Sequence, residues 1–584
     1  MKSDAYDVIV IGAGAAGLTA ACTAATLGAR ALVLEYTDRI GGTTAISGGM
    51  IWVPANYKMR EAGLPDELDA ARMYLRQLVR GCDNDSRMMA FLARGDEAIR
   101  FLDQRTSVKL RPVRRYPDYY PDLPGATPGG RVLEPLPFDA RELGRDFALL
   151  RDPLPEFLLF GGMMVSRDDL PVLRRVGQSP KAMWHTAKLL ARYALQRLRA
   201  HRGTSLVLGN ALAARLLKSA RELGVEIVVN ASVVRIDTDN GAVNGVQVDV
   251  DGRVASVRAH RGVIVATGGL SHHADLRRDY VPAAAGDLSA AVSSGAARSG
   301  VHLAHELGTQ LSRPSCGIDD ALAWWVPVSQ FERKDHRRAV FPHVVTDRAK
   351  PGLIAVNRQG RRFVNEAVSY HEFVRAQLRD PQQAIPAWLI CDRKFLWKYG
   401  LGRLHPFALS VRREVEEGYL KQSRTLEGLA TAIGVPVDAF CSTVRTFNAA
   451  AERGEDPEFG RGADIYQRHL GDSDHLPNPC VAPIEHAPFY AVAVRPADLG
   501  IAAGVVTDEH ARVLRGDGSA IRGLYACGND MHSIMNGAYP GPGITLGPAL
   551  VFGYVAAQHA CGPINSESST AKPWTSVLEE RQLS

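Results

Sequence analysis

Tyr6-Asp7-Val8-Ile9-Val10-Ile11-Gly12-Ala13-Gly14-Ala15-Ala16-Gly17 is the stretch on which the reading of this chain turns. Its first six residues are largely apolar and β-branched, without the polar alternation of a half-exposed strand, as in a parallel sheet covered on both faces. They run straight into glycines at fixed spacing and then an Ala/Leu-rich helix to Leu27, stopped by Gly28. A second apolar strand, Ala31 to Leu34, ends in Glu35. Glycines permit the tight turn and let the backbone touch a pyrophosphate, and the helix start offers N–H groups to phosphate oxygens. Glu35 would accept hydrogen bonds from an adenosine ribose. The alternative is a purely structural Gly-rich turn. Strand, glycines, helix and acid in register favour a dinucleotide site at Gly12, Ala13, Gly14, Ala15, Ala16, Gly17 and Glu35.

The chain beyond Glu35 favours FAD over NAD. Arg39-Ile40-Gly41-Gly42-Thr43-Thr44-Ala45-Ile46-Ser47-Gly48-Gly49 is a second loop of small side chains, and Gly41, Gly42, Thr43, Thr44, Ser47, Gly48 and Gly49 are candidate contacts along an extended cofactor. A further buried strand, Val263 to Val265, closes on Ala266-Thr267-Gly268-Gly269. Far downstream, Leu524-Tyr525-Ala526-Cys527-Gly528-Asn529-Asp530 reads as a strand ending in Gly and polar residues, placing Gly528, Asn529 and Asp530 at the ribityl chain. Val233, Ala266, Thr267, Gly268, Gly543, Thr545 and Leu546 complete the set of candidate FAD contacts. An NAD-only site would not need regions spread over most of the chain. The expected fold is α/β: a doubly wound, Rossmann-like FAD-binding domain with an inserted α+β cap.

Composition sets outer limits. The chain has 584 residues, 46% hydrophobic and 23% charged, long enough for several domains with sizeable cores. A net charge of +6 is mild for this length and falls short of a nucleic-acid signature. Eight cysteines lie far apart, with no C-x-x-C pair and no Cys/His cluster at zinc spacing. That argues for reduced thiols, no metal site and an intracellular setting. Five residues before the first strand leave no room for a secretion signal, and the reading is a cytoplasmic protein.

Four segments carry a resemblance to the succinate dehydrogenase/fumarate reductase flavoprotein superfamily and, within it, to the FAD-dependent 3-ketosteroid Δ1-dehydrogenases. They are Gly41 to Pro54, Tyr116-Pro117-Asp118-Tyr119-Tyr120, Arg362-Phe363-Val364-Asn365-Glu366 with Ser369-Tyr370, and Tyr539-Pro540-Gly541-Pro542-Gly543. The resemblance implies dehydrogenation of a C–C bond next to a ketone, with a steroid as substrate and an electron acceptor left unspecified. It implies that Tyr539 and the backbone N–H of Gly543 bind the ketone oxygen, that Tyr370 is the base taking the α-proton, and that Tyr119 hydrogen-bonds to the base. Such a set makes chemical sense. Two donors stabilise a developing enolate, and a tyrosine base, ordinarily of pKa about 10, needs a neighbouring donor or cation to ionise.

Departures matter too. The turn that reads T-G-D in the family is Ser299-Gly300-Val301 here. No His-Pro-Thr-Gly-type segment of a fumarate reductase is present, and Thr43 and Thr44 stand where succinate dehydrogenases carry a flavin-linking His, which implies non-covalent FAD. The alternatives are desaturation of a smaller cyclic ketone such as an oxocyclohexanecarboxylate, which would want an Arg for the carboxylate, or a fumarate-reductase-like alkene reduction.

The expected division is an FAD-binding first part at 1–318, a catalytic cap at 319–479, an FAD-binding second part at 480–564 and a polar tail at 565–584. Residues 162–203 look inserted. After Ser179-Pro180, a helix over 179–202 would carry Met183, Ala187, Leu190, Ala194 and Leu198 on one face, with Trp184, Ala191 and Leu195 beside them. Lys181, His185, Lys188, Arg192, Gln196 and Arg199 fall on the other. Such a helix either attaches to the inner face of a membrane or lies on the protein's own core.

Overall fold

Strand Ala5–Ile11 sits at the centre of five parallel strands. Ala31–Leu34 and then Glu226–Val228 lie on one side, Arg253–Val265 and then Ala520–Ala526 on the other. The short strand Arg512–Leu514 closes that edge antiparallel, and Ala231–Asp239 with Ala242–Val250 forms an antiparallel ribbon on Arg253–Val265. The doubly wound sheet is therefore assembled from both ends of the chain, as the three glycine-bearing segments imply. The computed structural model describes residues 1, 4–177, 179–293, 295–314, 317–333, 336–344 and 347–562, so the tail expected at 565–584 lies outside the described residues, as does Cys316.

Helix Ala15–Thr26 packs against the last helix, Leu546–Cys561, and against Leu208–Glu222. Small residues bring the first pair together: a Cβ on Gly553 would lie 2.5 Å from the Ala16 carbonyl oxygen. The start of the first helix, where the cofactor is expected, is thus braced by the end of the chain.

The cap is built on a second, antiparallel sheet ordered Arg338–Pro342, Ala323–Glu332, Phe489–Ile501, Ala387–Asp392, Leu353–Val356, with Lys421–Ser423 also paired to Phe489–Ile501. This corrects one boundary. Phe489–Ile501, which a division at 479/480 assigns to the FAD domain, is the central strand of the cap sheet, with Ile501 opposite Ala323. The cap begins and ends on neighbouring strands. A run of thirteen residues in one strand carries no turn signal at 479/480, and only the pairing shows to which sheet it belongs.

The insertion holds the expected helix, Pro180–Arg197 with Ser179 as N-cap. Its apolar stripe does not lie on the protein's own core. A third face packs on the protein: Ala182 and Leu189 are buried, His185 bonds to Asp169 at 2.8 Å and Gln196 donates to Ser205 at 2.8 Å. His185 and Gln196 are thereby removed from the solvated basic face. The apolar stripe faces solvent instead, with Trp184 75% and Leu198 80% exposed, and Met183 and Leu195 beside them. Among the described residues no helix is long and apolar enough to cross a membrane.

Candidate active site

The nucleotide end fits FAD on its own geometry. Gly12 has φ +108°, and a Cβ there would lie 2.3 Å from the Ala266 carbonyl oxygen, so only glycine allows the two strand ends to meet. A Cβ on Gly17 would lie 2.0 Å from the Gly12 carbonyl oxygen, which holds helix to turn. At Gly14 nothing lies within 4 Å, and no side chain caps the helix it begins, leaving room for a pyrophosphate against the helix start.

Ala13, fully buried, gives its N–H to Glu35 Oε2 at 2.9 Å, and Glu35 Oε1 accepts from the backbone and hydroxyl of Thr37. Glu35 thus braces the loop. Thr44 Oγ1 accepts the Ala15 N–H at 3.1 Å, and the Gly41 N–H reaches the Ala13 carbonyl at 2.9 Å, joining the second loop to the first. Thr43 Oγ1 accepts from the Val292 N–H at 3.0 Å. Ser47 ties Gly49 to its own loop, and Gly49 lies so close to Leu208 and Gly209 that a Cβ would come within 2.4 Å of the Gly209 nitrogen. Gly42 and Gly48 stay open.

Asp530, expected at the ribityl chain, sits in the turn that follows strand Ala520–Ala526. It is fully buried and accepts from the Thr267 hydroxyl at 2.8 Å, the Thr267 N–H and the Gly268 N–H at 3.1 Å. It therefore shapes the Ala266–Gly268 turn, while Gly528 and Asn529 precede it in the same short turn. Val233 lies on the antiparallel ribbon opposite Val248. Thr545 and Leu546 begin the last helix, which has no side-chain cap. The Ser299-Gly300-Val301 turn is needed for its glycine: a Cβ on Gly300 would lie 2.0 Å from Val265 Cγ1, and the Gly300 N–H donates to Thr267 Oγ1 at 2.8 Å.

The three tyrosines come together. Tyr370 Oη donates to Tyr539 Oη at 2.8 Å. The ring of Tyr119 stacks on that of Tyr539 with centroids 5.4 Å apart and meets Tyr370 edge-on at 5.8 Å. All three are buried. The expected hydrogen bond from Tyr119 to Tyr370 is not formed. The Tyr119 hydroxyl has no hydrogen-bond partner of good geometry among the described residues; its ring is stacked on Tyr539 and tilted against Tyr466, and its N–H is tied to the Pro540 carbonyl at 3.0 Å. Burial pushes the Tyr370 phenol well above 10, Tyr539 adds to this, and the Tyr119 hydroxyl works in the opposite direction. Burial raises Tyr119 and Tyr539 as well. His371, with its ring 5.6 Å from Tyr539, is lowered to about 4 by burial and so stays neutral there.

Each tyrosine is placed by a different device. Tyr370 opens helix Tyr370–Arg379, whose N-cap Ser369 accepts the Glu372 N–H. Tyr539 precedes the turn ending at Gly543. There φ is +97°, and a Cβ would lie 2.4 Å from the Met50 carbonyl oxygen, while the Trp52 N–H donates to the Gly543 carbonyl. Tyr119 rides on a buried ionic knot: Asp118 accepts from Trp52 Nε1 and Arg131 Nη1, both at 2.8 Å, and Arg131 also pairs with Asp66 at 2.7 Å. Tyr120 Oη donates to Glu372 at 2.8 Å, locking the Tyr119 segment to the cap helix.

The R-F-V-N-E segment is scaffold rather than chemistry. Arg362 forks onto Glu366 and Asp456, Arg461 joins Glu366 at 3.2 Å, and all four are buried. Asn365 donates to the Phe459 carbonyl and Gln467. Beside it runs a hydrogen-bonded chain. The Arg403 N–H donates to Tyr419 Oη, which shares a hydrogen bond with Ser329 Oγ at 2.8 Å; Ser329 Oγ lies 2.8 Å from His343 Nε2, and His343 Nδ1 2.6 Å from Asp347. Every group in it is committed, so it fixes the segment leading to Arg348.

Two more tyrosines were missed by sequence reasoning. Tyr466 packs on Tyr119 with centroids 4.8 Å apart, and Tyr116, inside a quoted motif but given no role, lies against His469 at 4.5 Å. The hydroxyls of both are buried without a hydrogen-bond partner among the described residues. No local signal marks Tyr466, which sits in an unremarkable helix start. The guanidinium of Arg167, from the insertion, lies 5.0 Å from the Tyr116 ring centroid.

Comparison with known proteins accords with this geometry. The family described as FAD binding domain matches residues 7–546. The 3-oxosteroid 1-dehydrogenase of Mycobacterium tuberculosis (strain ATCC 25618 / H37Rv) is 36% identical over 572 residues, covering 96% of this chain and 99% of that protein. The 4-oxocyclohex-2-ene-1-carboxylate 5-dehydrogenase of Sinomonas cyclohexanicum is 38% identical over 566 residues, covering 95% and 94%. The crystal structure of 3-ketosteroid Δ1-dehydrogenase from Sterolibacterium denitrificans in complex with 1,4-androstadiene-3,17-dione superposes with a TM-score of 0.88 at 35% identity, covering 96% of this chain and 100% of that one.

Proposed function

We propose a reaction from one established premise: this chain belongs to the FAD binding domain family of flavoproteins and, within it, groups with the FAD-dependent ketone dehydrogenases. The reading is removal of two hydrogens across the bond next to a ring ketone, with a 3-ketosteroid desaturated between carbons 1 and 2. The observation that carries it is the 2.8 Å bond between Tyr370 and Tyr539 in a buried cluster with Tyr119.

The residues divide the work. The Tyr539 hydroxyl, 2.8 Å from that of Tyr370, would turn its proton to a ketone oxygen beside the backbone of Gly543 when substrate binds. That donation stabilises charge developing on the oxygen as the α-proton leaves. Tyr370, at the start of its helix, would first release its phenol proton to solvent before substrate binds, and its anion, which a helix N-terminus favours, takes the α-proton. Burial of the cluster keeps bulk water from competing for both hydroxyls. When bound, FAD supplies the acceptor for the hydride lost from the neighbouring carbon. The loops at Gly12–Gly17, Gly41–Gly49 and Ala266–Gly268 and the helix start at Thr545 would hold it, without covalent attachment, since Thr43 and Thr44 offer no linking nitrogen.

A second reading, desaturation of a cyclohexanone acid, is favoured by the 38% identity to the Sinomonas enzyme and by Arg167 beside Tyr116. One anaerobic experiment separates them. Bleaching of the yellow protein by androstenedione and not by 4-oxocyclohexanecarboxylate supports the steroid; the reverse result overturns it. The flavin should leave with the supernatant when the chain is precipitated.

For the insertion we propose attachment to an anionic bilayer. Its apolar stripe points away from the protein, and Lys181, Lys188, Arg192 and Arg199 are exposed around it. Basic residues at an anionic surface contribute about 1 kcal/mol each. The protein should sediment with anionic liposomes at low salt, and the triple variant Trp184→Ala, Leu195→Ala, Leu198→Ala, which touches only exposed side chains, should remain in the supernatant. Native protein that stays in the supernatant at low salt would overturn the attachment.

A further inference from the structure

Burial and Tyr539 both disfavour the Tyr370 anion, and Tyr119 opposes them. A fixed positive charge within reach would favour the anion further.

Arg348 offers that charge. Its side chain is 3% exposed, and among the described residues it makes no ion pair with a carboxylate. Its bonds go to backbone carbonyls: Nε to His343 at 3.0 Å, and Nη1 to Glu366 at 3.0 Å and Val368 at 3.2 Å, the residues just ahead of Ser369-Tyr370. Its Cζ lies 5.0 Å from the ring centroid of Phe373, one turn after Tyr370. Carbonyl dipoles satisfy the N–H groups but do not cancel the charge, and a guanidinium does not discard its proton on burial. The Arg348 charge favours the anions of Tyr466 and Tyr119, two rings tilted against each other at 4.8 Å, and Tyr119 in turn meets Tyr370 edge-on.

Most of the surrounding charges are bonded to one another. Asp347 is bonded to His343 and to the Arg348 N–H. Arg461 and Glu366 pair with each other, and Arg362 with Glu366 and Asp456. Lys350 donates to the Leu470 and Gly471 carbonyls. Around the tyrosines, His371 accepts the Trp325 N–H, His469 packs on Tyr116, and Glu372 is held by Arg375 and Tyr120.

We propose that Arg348 is the counter-charge of the tyrosine cluster, a positioning residue that readies Tyr370 to accept the α-proton. The proposal rests on Tyr370 being the base. The experiment compares flavin-loaded native protein with Arg348→Gln and Arg348→Lys, measuring the pH profile of reduction by androstenedione and the ultraviolet difference titration of tyrosinate. In Arg348→Gln the low-pH limb of the rate and the first tyrosinate step should move together to higher pH. The rate near neutrality should fall about tenfold or more, to be regained at high pH. Arg348→Lys, which keeps the charge and loses the fork onto the carbonyls, should keep the native limb even if it melts earlier.

An unmoved limb in Arg348→Gln, whatever the rate, overturns the proposal. So does a limb in Arg348→Lys displaced as far as in Arg348→Gln. If Arg348→Gln does not fold, Arg348→Lys decides: a native limb supports the counter-charge and a displaced one refutes it. Failure of the underlying reading looks different, because Tyr370→Phe would then reduce at the native rate.

Discussion

Tyr370→Phe is expected to slow flavin reduction by a factor on the order of a hundred or more, the range for loss of a general base, while leaving binding of a 3-keto product nearly intact. The change removes one oxygen and keeps the ring that packs edge-on against Tyr119 and Tyr539, so the site should hold its shape. Tyr539 loses its partner at 2.8 Å but keeps its own proton for the ketone. Stopped-flow reduction together with equilibrium binding of androstadienedione checks both halves. Near-native reduction would remove Tyr370 from the chemistry and, with it, most of the case for α-proton abstraction.

Tyr539→Phe should cost comparably and for another reason. Loss of one donor to a developing oxyanion corresponds to about 2.7–4 kcal/mol, or roughly 10²–10³ in rate. Product binding should weaken in parallel, since a hydrogen bond to a ketone exists in the ground state as well. The pH profile distinguishes it from Tyr370→Phe. Removing the hydroxyl that accepts from Tyr370 also removes an influence that holds the Tyr370 phenol up. The surviving activity of Tyr539→Phe should therefore have its low-pH limb at lower pH than the native protein. A variant with native product affinity would show that the ketone oxygen is held elsewhere.

The parts of this molecule that could be read from the chain are those whose chemistry is local. Gly12, Gly14 and Gly17 sit within one turn, and their spacing alone forces strand, bend and helix start together. The Ser179-Pro180 helix start was equally legible, because a cap and a proline act within a few residues. Which of its faces meets the protein was not, since a stripe of Met, Trp and Leu looks the same whether it is buried or displayed. Tyr119, Tyr370 and Tyr539 emerged through resemblance, not periodicity. Tyr466 and Arg348 did not emerge at all: Tyr466 gains meaning only from Tyr119, far away in the chain, and Arg348 only from carbonyls that the fold brings round it. Asp530 shows the converse. Its place after a strand suggests a ligand contact, and only the fold reveals that its carboxylate also accepts from Thr267 and Gly268. The same holds for Arg362 and Glu366, whose motif announces that a cap is present and leaves the reaction to the tyrosines.

The sheet order carries a consequence for how this chain comes into being. Ala520–Ala526 pairs with Arg253–Val265, and the final helix Leu546–Cys561 closes on the first helix, Ala15–Thr26. The nucleotide fold is therefore unfinished for almost the whole of synthesis. The cap, whose bounding strands Ala323–Glu332 and Phe489–Ile501 also pair across a long separation, must emerge before the last parallel strand can arrive. Contacts of such sequence separation are slow to form, and an unpaired strand edge on Arg253–Val265 is meanwhile open to other chains. Yield in a foreign host should accordingly depend on growth temperature and chaperone supply, and truncation anywhere before Cys561 should cost flavin retention ahead of any other property.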